Sequence, residues 1–209
     1  MKTSALLAIL PAFVAASPVV VPTNAAGPDP GTVRIRGVTY GGSGCPQGSM
    51  SAQLSSDQTL VTLIFDEYQA SIGPDVAVND QRKNCQLNFA LTYPGGFQYS
   101  VFSADYRGYA DLDAGVSGTL KSTYYFSGQP TQTSTETIFT GPLNGDYLKS
   151  DEVDQVSLVW SPCGAEGLLN INSQVRLTSS NRNAKGLLTT DSIDAKFEQK
   201  VRVRWRTCK

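Results

Sequence analysis

The sequence predicts an all-β protein: a two-sheet antiparallel β-sandwich, jelly-roll-like in its connections and held by two disulfides. Three observations carry that expectation. The stretch from Cys85 to Gly128 holds three period-two segments joined by two glycine-bearing turns, and period two is the repeat of a strand with one buried face. No apolar stretch of helical period with caps follows the opening residues. Four cysteines, an even set, stand in a chain that opens on a secretory leader, the setting in which disulfides form.

That leader is residues 1–16. Lys2, the apolar run from Ala5 to Ala16 and the small residues Val14 and Ala16 have the pattern of a signal peptide cleaved after Ala16. The run is too short to cross a bilayer, and no later segment reaches the length of a membrane helix. The expected product is secreted and extracellular, with no membrane span. Cleavage leaves 193 of 209 residues, enough for one well-buried domain. Pro18, Pro22, Pro28 and Pro30 make residues 17–31 a flexible Pro-rich leader; residues 32–209 are then a single β-sandwich domain.

A first strand is expected where Val33 and Ile35 alternate with Arg34 and Arg36. Gly41 to Gly48 is a glycine-rich loop around Cys45, but it neither follows a strand nor opens a helix as a phosphate-binding loop must, and Ser49 to Leu54 reads as extended. Leu60 to Phe65 is short and apolar on both faces, the pattern of a central covered strand. Asp75 to Asn84 is polar and turn-rich.

Within the organising stretch, Leu87, Phe89, Leu91 and Tyr93 alternate with Gln86, Asn88, Ala90 and Thr92. A three-residue hairpin loop at Pro94, Gly95 and Gly96 would set Tyr93 against Phe97, Leu91 against Tyr99 and Phe89 against Val101. A second at Asp113, Ala114 and Gly115 would set Leu112 against Val116, Ala110 against Gly118 and Phe102 against Phe126. The inward residues switch from odd to even near Ser100 to Ser103, so a bulge or a change of sheet is expected there.

Beyond Gly128 the Thr-, Ser- and Gln-rich segment to Gly141 reads as an edge strand or exposed connection, open to O-glycosylation; no Asn-x-Ser/Thr sequon occurs. Val156, Leu158 and Trp160 run into the turn Ser161 to Gly164. Leu169, Ile171, Val175 and Leu177 alternate with Asn170, Asn172, Gln174 and Arg176, and in the last segment Phe197, Val201, Val203 and Trp205 oppose Lys200, Arg202, Arg204 and Arg206. The preferred disulfides are Cys45 with Cys85 and Cys163 with Cys208. Each closes a loop of about forty residues, worth roughly 4 kcal/mol by chain entropy. A zinc site is excluded by the lack of any CxxC pair.

The blocks Gly44-Cys45-Pro46, Leu63-Ile64-Phe65-Asp66, Arg82-Lys83-Asn84-Cys85-Gln86-Leu87, Asp105-Tyr106-Arg107-Gly108-Tyr109, Tyr124-Tyr125-Phe126-Ser127-Gly128, Trp160-Ser161-Pro162-Cys163-Gly164 and Leu169-Asn170-Ile171-Asn172, with Trp205 and Cys208, carry a resemblance. Together they resemble a family of small secreted proteins of filamentous fungi catalogued as domain of unknown function 4360, over the span from about Val38 to Cys208. The resemblance implies secretion, a fungal source and four structural cysteines. It implies no catalytic residue.

Chemistry is bounded by the absence of histidine, which removes Ser-His-Asp and Cys-His nucleophiles, histidine metal sites and histidine proton shuttles. Loss of Lys2 from the 17 Lys and Arg leaves 16 against 18 Asp and Glu, a balance that gives no strong attraction to nucleic acid. Carboxylate catalysis is one option. Yet Asp105 and Asp111 would stand about 20 Å apart on one strand, too far for either glycosidase geometry. Asp66 with Glu67, and Asp191 with Asp194, would need distant partners. Asp111 and Asp113 suit a turn better than a calcium loop.

The favoured expectation is a non-enzymatic extracellular binding module for a polysaccharide or cell-wall surface, needing no cofactor or metal. Its candidate residues are Asp105, Arg107, Tyr109, Lys121 and Tyr125, which the second hairpin would gather on one outward face. A carboxylate-dependent carbohydrate-active enzyme and an effector acting on another protein are the alternatives. The cationic ladder from Lys200 to Arg206 reads as a solvated edge that discourages strand addition.

Overall fold

The computed structural model describes residues 27–29, 31–164, 166–189 and 197–208. The proposed signal peptide and most of the leader, with Asp191 and Asp194, lie outside the described residues. Twelve strands are described, with two short 3-10 turns and no α-helix among them. They are β1 (Arg34–Gly41), β2 (Met50–Leu54), β3 (Leu60–Phe65), β4 (Ala70–Ile72), β5 (Arg82–Thr92), β6 (Phe97–Leu112), β7 (Val116–Phe126), β8 (Gln132–Thr140), β9 (Leu143–Glu152), β10 (Glu166–Ser179), β11 (Gly186–Thr189) and β12 (Phe197–Thr207).

They form two antiparallel sheets, β1-β5-β10-β7-β8 and β2-β3-β12-β6-β11-β4, with β9 joined to the second along β6. The disulfides pair Cys45 with Cys85 and Cys163 with Cys208, and no described cysteine is free. The all-β sandwich with two disulfides is therefore observed.

The two hairpins are not. β5 pairs with β1 and β10, β6 with β12, β11 and β9, and β7 with β10 and β8, so neither consecutive pair shares a ladder. Both turns are arches that carry the chain from one sheet to the other, each ending on a glycine with positive φ, Gly96 at 83° and Gly115 at 84°. The physical reason is that period two fixes which face of a strand is buried, not which strand lies beside it. Leu87, Phe89, Leu91, Tyr93, Leu120, Tyr124 and Phe126 are indeed buried, but they meet β6 across the interior. Tyr99 packs edge-on against Tyr93 and Phe126, with centroids 5.5 and 5.1 Å apart.

The change of face within β6 is where the pattern put it. Ser103 pairs with Arg202 and Val101 with Val203, leaving Phe102 bulged between them. Phe102 therefore leaves the core, and the expected contact with Phe126 is replaced by Arg204, whose guanidinium lies 4.9 Å from the Phe102 ring centre.

Other elements sharpen the expectations. β8 is an edge strand whose Thr133, Thr135, Thr137 and Phe139 point inward. β3 lies between β2 and β12, with Val61, Leu63 and Phe65 buried but Leu60, Thr62 and Ile64 only half-buried. Val156 is 96% exposed on a 3-10 turn, while Val153 and Val159 are the buried residues of that segment. β12 is interior, between β3 and β6, so its cations are not an edge device. Its inward face also carries a polar residue, Gln199. The Gln199 amide donates to Ser122 and Tyr124 on the opposite sheet at 3.2 and 3.1 Å, beside a Tyr106 hydroxyl 2.7 Å from Thr135.

Candidate functional site

With β6 and β7 in different sheets, the five candidate residues divide between the two outer surfaces of the sandwich. Asp105, Arg107 and Tyr109 stand on the seven-stranded sheet; Lys121 and Tyr125 stand on the five-stranded one. Each group has neighbours that the sequence alone did not place.

On the seven-stranded sheet, β12 lays Lys200 beside Asp105 and Arg202 beside Ser103, while β9 brings Ser150 to the other side of Asp105. The Arg202 guanidinium forms a salt bridge with Asp105, and the Ser150 hydroxyl donates to the same carboxylate at 2.7 Å. The hydrogen bond from Arg202 is the chief reason that the Asp105 carboxyl is held below its ordinary value. Lys200 bridges Glu198 at 3.1 Å, and Arg206 lies 3.8 Å from the centre of the Trp160 ring while donating to Gln98. A groove of 550 Å³ runs along Asp105, Arg107, Asp146, Leu148, Glu198 and Lys200, and a second of 620 Å³ along Phe102, Arg204 and Trp205. The cations of β12 are thus occupied, either by a carboxylate or by an aromatic face.

The five-stranded sheet is different in kind. Its outward positions fall into rows across β5, β10, β7 and β8. One row is Asn84, Gln174, Lys121 and Glu136; the next is Gln86, Asn172, Thr123 and Ser134; the third is Asn88, Asn170, Tyr125 and Gln132. Six carboxamides thus occupy three successive rows of two adjoining strands, with Tyr125 at one end. Rows lie about 6.7 Å apart and strands about 4.8 Å apart.

The amides are held by one another and by their surroundings. Asn172 donates to the Gln86 side chain at 2.9 Å, Asn88 to Thr39 at 3.1 Å and Asn170 to Ser127 at 3.0 Å. Lys121 is bridged to Glu136 at 3.2 Å, so that row presents little net charge. Asparagine is disfavoured in strands because its side chain competes for the backbone. Four stand in the adjoining inner strands β5 and β10: Asn170 is buried and donates to Ser127, so it serves the sheet itself, while Asn84, Asn88 and Asn172 stay accessible with no packing role, which is where function is expected.

No cluster among the described residues has the ligands for a metal. Asp113 accepts the Lys185 backbone N–H at 2.7 Å beside the turn, while Asp111, inside β6, accepts from its cross-strand partner Asn144 at 3.0 Å.

A family model described as domain of unknown function DUF4360 matches residues 31–208. The chain belongs to that family. An uncharacterized secreted protein of the fungus Arthroderma benhamiae is 63% identical over 189 residues, which cover 90% of this chain and 77% of that one. The protein is, like that relative, secreted, and no described helix is long and apolar enough to cross a membrane.

Among solved structures, TmCBM61 in complex with β-1,4-galactotriose matches with a TM-score of 0.26 and 10% identity, over 83% of this chain and 90% of that one. A carbohydrate-binding module of the β-sandwich superfamily matches at 0.25 and 9%, over 88% and 64%. Scores this low carry no argument about a ligand.

Proposed function

We propose that the protein is a non-enzymatic, secreted glycan-binding module, and that an extended polysaccharide lies along the outer face of the five-stranded sheet. The observation that carries this is the accessible field of Asn84, Gln86, Asn88, Asn172 and Gln174 in three consecutive rows, with the buried Asn170 bracing its Tyr125 end. A carboxamide presents a donor and an acceptor side by side, as a pair of neighbouring sugar hydroxyls does, and being uncharged it gives up water at less cost than an ion. The Tyr125 ring at one end adds a flat apolar surface for the face of a sugar ring. A shallow field of this kind suits a polymer lying flat rather than a small molecule enclosed in a pocket.

The enzymatic alternative needs a carboxyl kept protonated as general acid. At Asp105 the Arg202 guanidinium has the opposite effect and favours the ionised form.

Retention of the purified protein on insoluble chitin, β-glucan and cellulose, with reducing sugar assayed in the same tubes, tests the proposal. Retention without sugar release is expected, falling at least tenfold in Q86A/N172A. Sugar release, or retention indifferent to that double substitution, would overturn it.

A further inference from the structure

The amide field ends, on the side away from Tyr125, in a pair of arginines. Arg82 of β5 and Arg176 of β10 occupy directly opposed positions in the antiparallel ladder. Both side chains are exposed on the outer face, one row beyond Asn84 and Gln174. Like charges placed opposite each other in a ladder repel, and sheets ordinarily avoid the arrangement or interleave a carboxylate. Here no carboxylate intervenes: among the described residues neither guanidinium has an ion-pair or hydrogen-bond partner. Among the described residues Arg34, Arg36, Arg182 and Lys185 are also without an ion pair, but none of them stands opposite a second cation in a ladder, and four further cations are paired. Lys83 is bridged to Asp80, Lys121 to Glu136, Lys200 to Glu198 and Arg202 to Asp105.

The two arginines line a groove of 600 Å³ together with the neutral hydrogen-bonding residues Ser43, Asn79, Gln81 and Thr178 and the apolar Val78 and Leu177, with no carboxylate in the lining. A guanidinium offers a rigid planar fork of donors that matches two oxygens of a carboxylate, phosphate or sulfate. Two forks facing one shallow groove, with no protein anion between them, are a receptor for an oxyanion from outside.

We infer that Arg82 and Arg176 form a binding subsite for an oxyanion substituent, carboxylate or phosphate ester, carried by the glycan that occupies the amide field. The inference rests on the proposed glycan reading and gives it a direction: the polymer runs along β5 and β10 with its acidic group at the Arg82 end and a sugar face at Tyr125. Neutral sugar units contact the amides, and the charged unit sets the register of the chain.

The test is retention on three immobilised polymers: polygalacturonate, the same polymer fully methyl-esterified, and a phosphomannan. Polygalacturonate is expected to hold the wild-type protein at least tenfold more tightly than its ester, and R82Q/R176Q is expected to abolish that preference. R34Q/R36Q removes the same charge from the neighbouring strand β1 and is expected to keep it. Retention on phosphomannan alone would assign a phosphate ester rather than a carboxylate to the subsite.

Equal retention on polygalacturonate and its ester, with no retention on phosphomannan that needs Arg82 and Arg176, overturns the subsite and leaves the glycan reading standing. So does a preference that survives R82Q/R176Q or vanishes equally in R34Q/R36Q. Failure to bind either acidic polymer also overturns the subsite. A preference that depends on Arg82 and Arg176 but not on Gln86 and Asn172 keeps the subsite and removes the amide field from recognition.

Discussion

The two outer surfaces of this sandwich are built on the same scaffold and have opposite chemistry. On the seven-stranded sheet the polar groups are charged and mutually satisfied: Arg202 holds Asp105, Lys200 holds Glu198, and Arg204 and Arg206 lie on the rings of Phe102 and Trp160. On the five-stranded sheet they are neutral amides ending in two unmatched arginines. The difference teaches where to look for binding. A paired charge must lose an ionic partner before it can take a ligand, whereas an accessible amide such as Asn172 gives up only water and a neutral hydrogen bond to Gln86. On the proposed reading the charged surface serves stability and the amide surface recognition.

That division can be broken by experiment. The largest effect is expected from the staple that ends the charged sheet, since Cys163 and Cys208 tie the end of β12 to the turn after Trp160 across a separation of 45 residues. C163A/C208A should lower unfolding free energy by about 4 kcal/mol, read from urea midpoints. Next, R202A should cost about 1–3 kcal/mol, because it leaves the Asp105 carboxylate, 11% exposed, with the Ser150 hydroxyl as its hydrogen-bond donor. Glycan retention should survive that substitution at temperatures where the protein is folded; its loss would contradict the division.

The acid limb of stability sharpens the same point. Asp105 has a lowered carboxyl value, chiefly through the hydrogen bond from Arg202. Its stabilisation is therefore complete above about pH 4, the ordinary value for aspartate, and is lost as pH falls through the lower folded value. A pH series of urea midpoints should show this loss, and D105N should flatten it.

At the alkaline end the shared core responds instead. Burial pushes up the hydroxyls of Tyr68, Tyr99, Tyr106, Tyr124 and Tyr147. Stability should then be full below about pH 10 and decline above it, with the part of the tyrosinate absorbance that comes from these five appearing together with unfolding rather than before it. The smallest stability effect is expected on the amide surface. Q86A/N172A should change unfolding free energy by less than about 0.5 kcal/mol while removing binding.

Much of the fold was legible because burial leaves a period. The inward residues of β5, β7 and β10, the bulge at Phe102 and the edge position of β8 could all be read from alternation and composition. The partners of β5 and β6 could not. Phe89 and Val101 suit a hairpin and an arch equally well, since both bury the same side chains and differ only in whether these meet within a sheet or across the interior. The same ambiguity misplaced the candidate residues. Tyr125 and Lys121 were recognised as outward, but their neighbours Asn170 and Gln174 lie some fifty residues further along the chain, and only the register of β10 brings them together. Gln199 escaped notice because a lone amide inside an apolar strand has no periodic signature; its partners Ser122 and Tyr124 come from the opposite sheet.

The alternation of β5, β6 and β7 between sheets also bears on how the chain becomes a protein. None of these three strands can pair with the one made just before it, and the strand that joins β5 to β7 is β10, while the strand that joins β3 to β6 is β12. Both joining strands lie in the last quarter of the sequence. A growing chain can form the pairs β1–β5, β2–β3, β6–β9 and β7–β8 early, but the strands that join these pairs into two sheets come last. Folding that depends on such distant pairings is slow, and the seven-stranded sheet stays open until the segment that ends in Trp205 and Cys208 arrives.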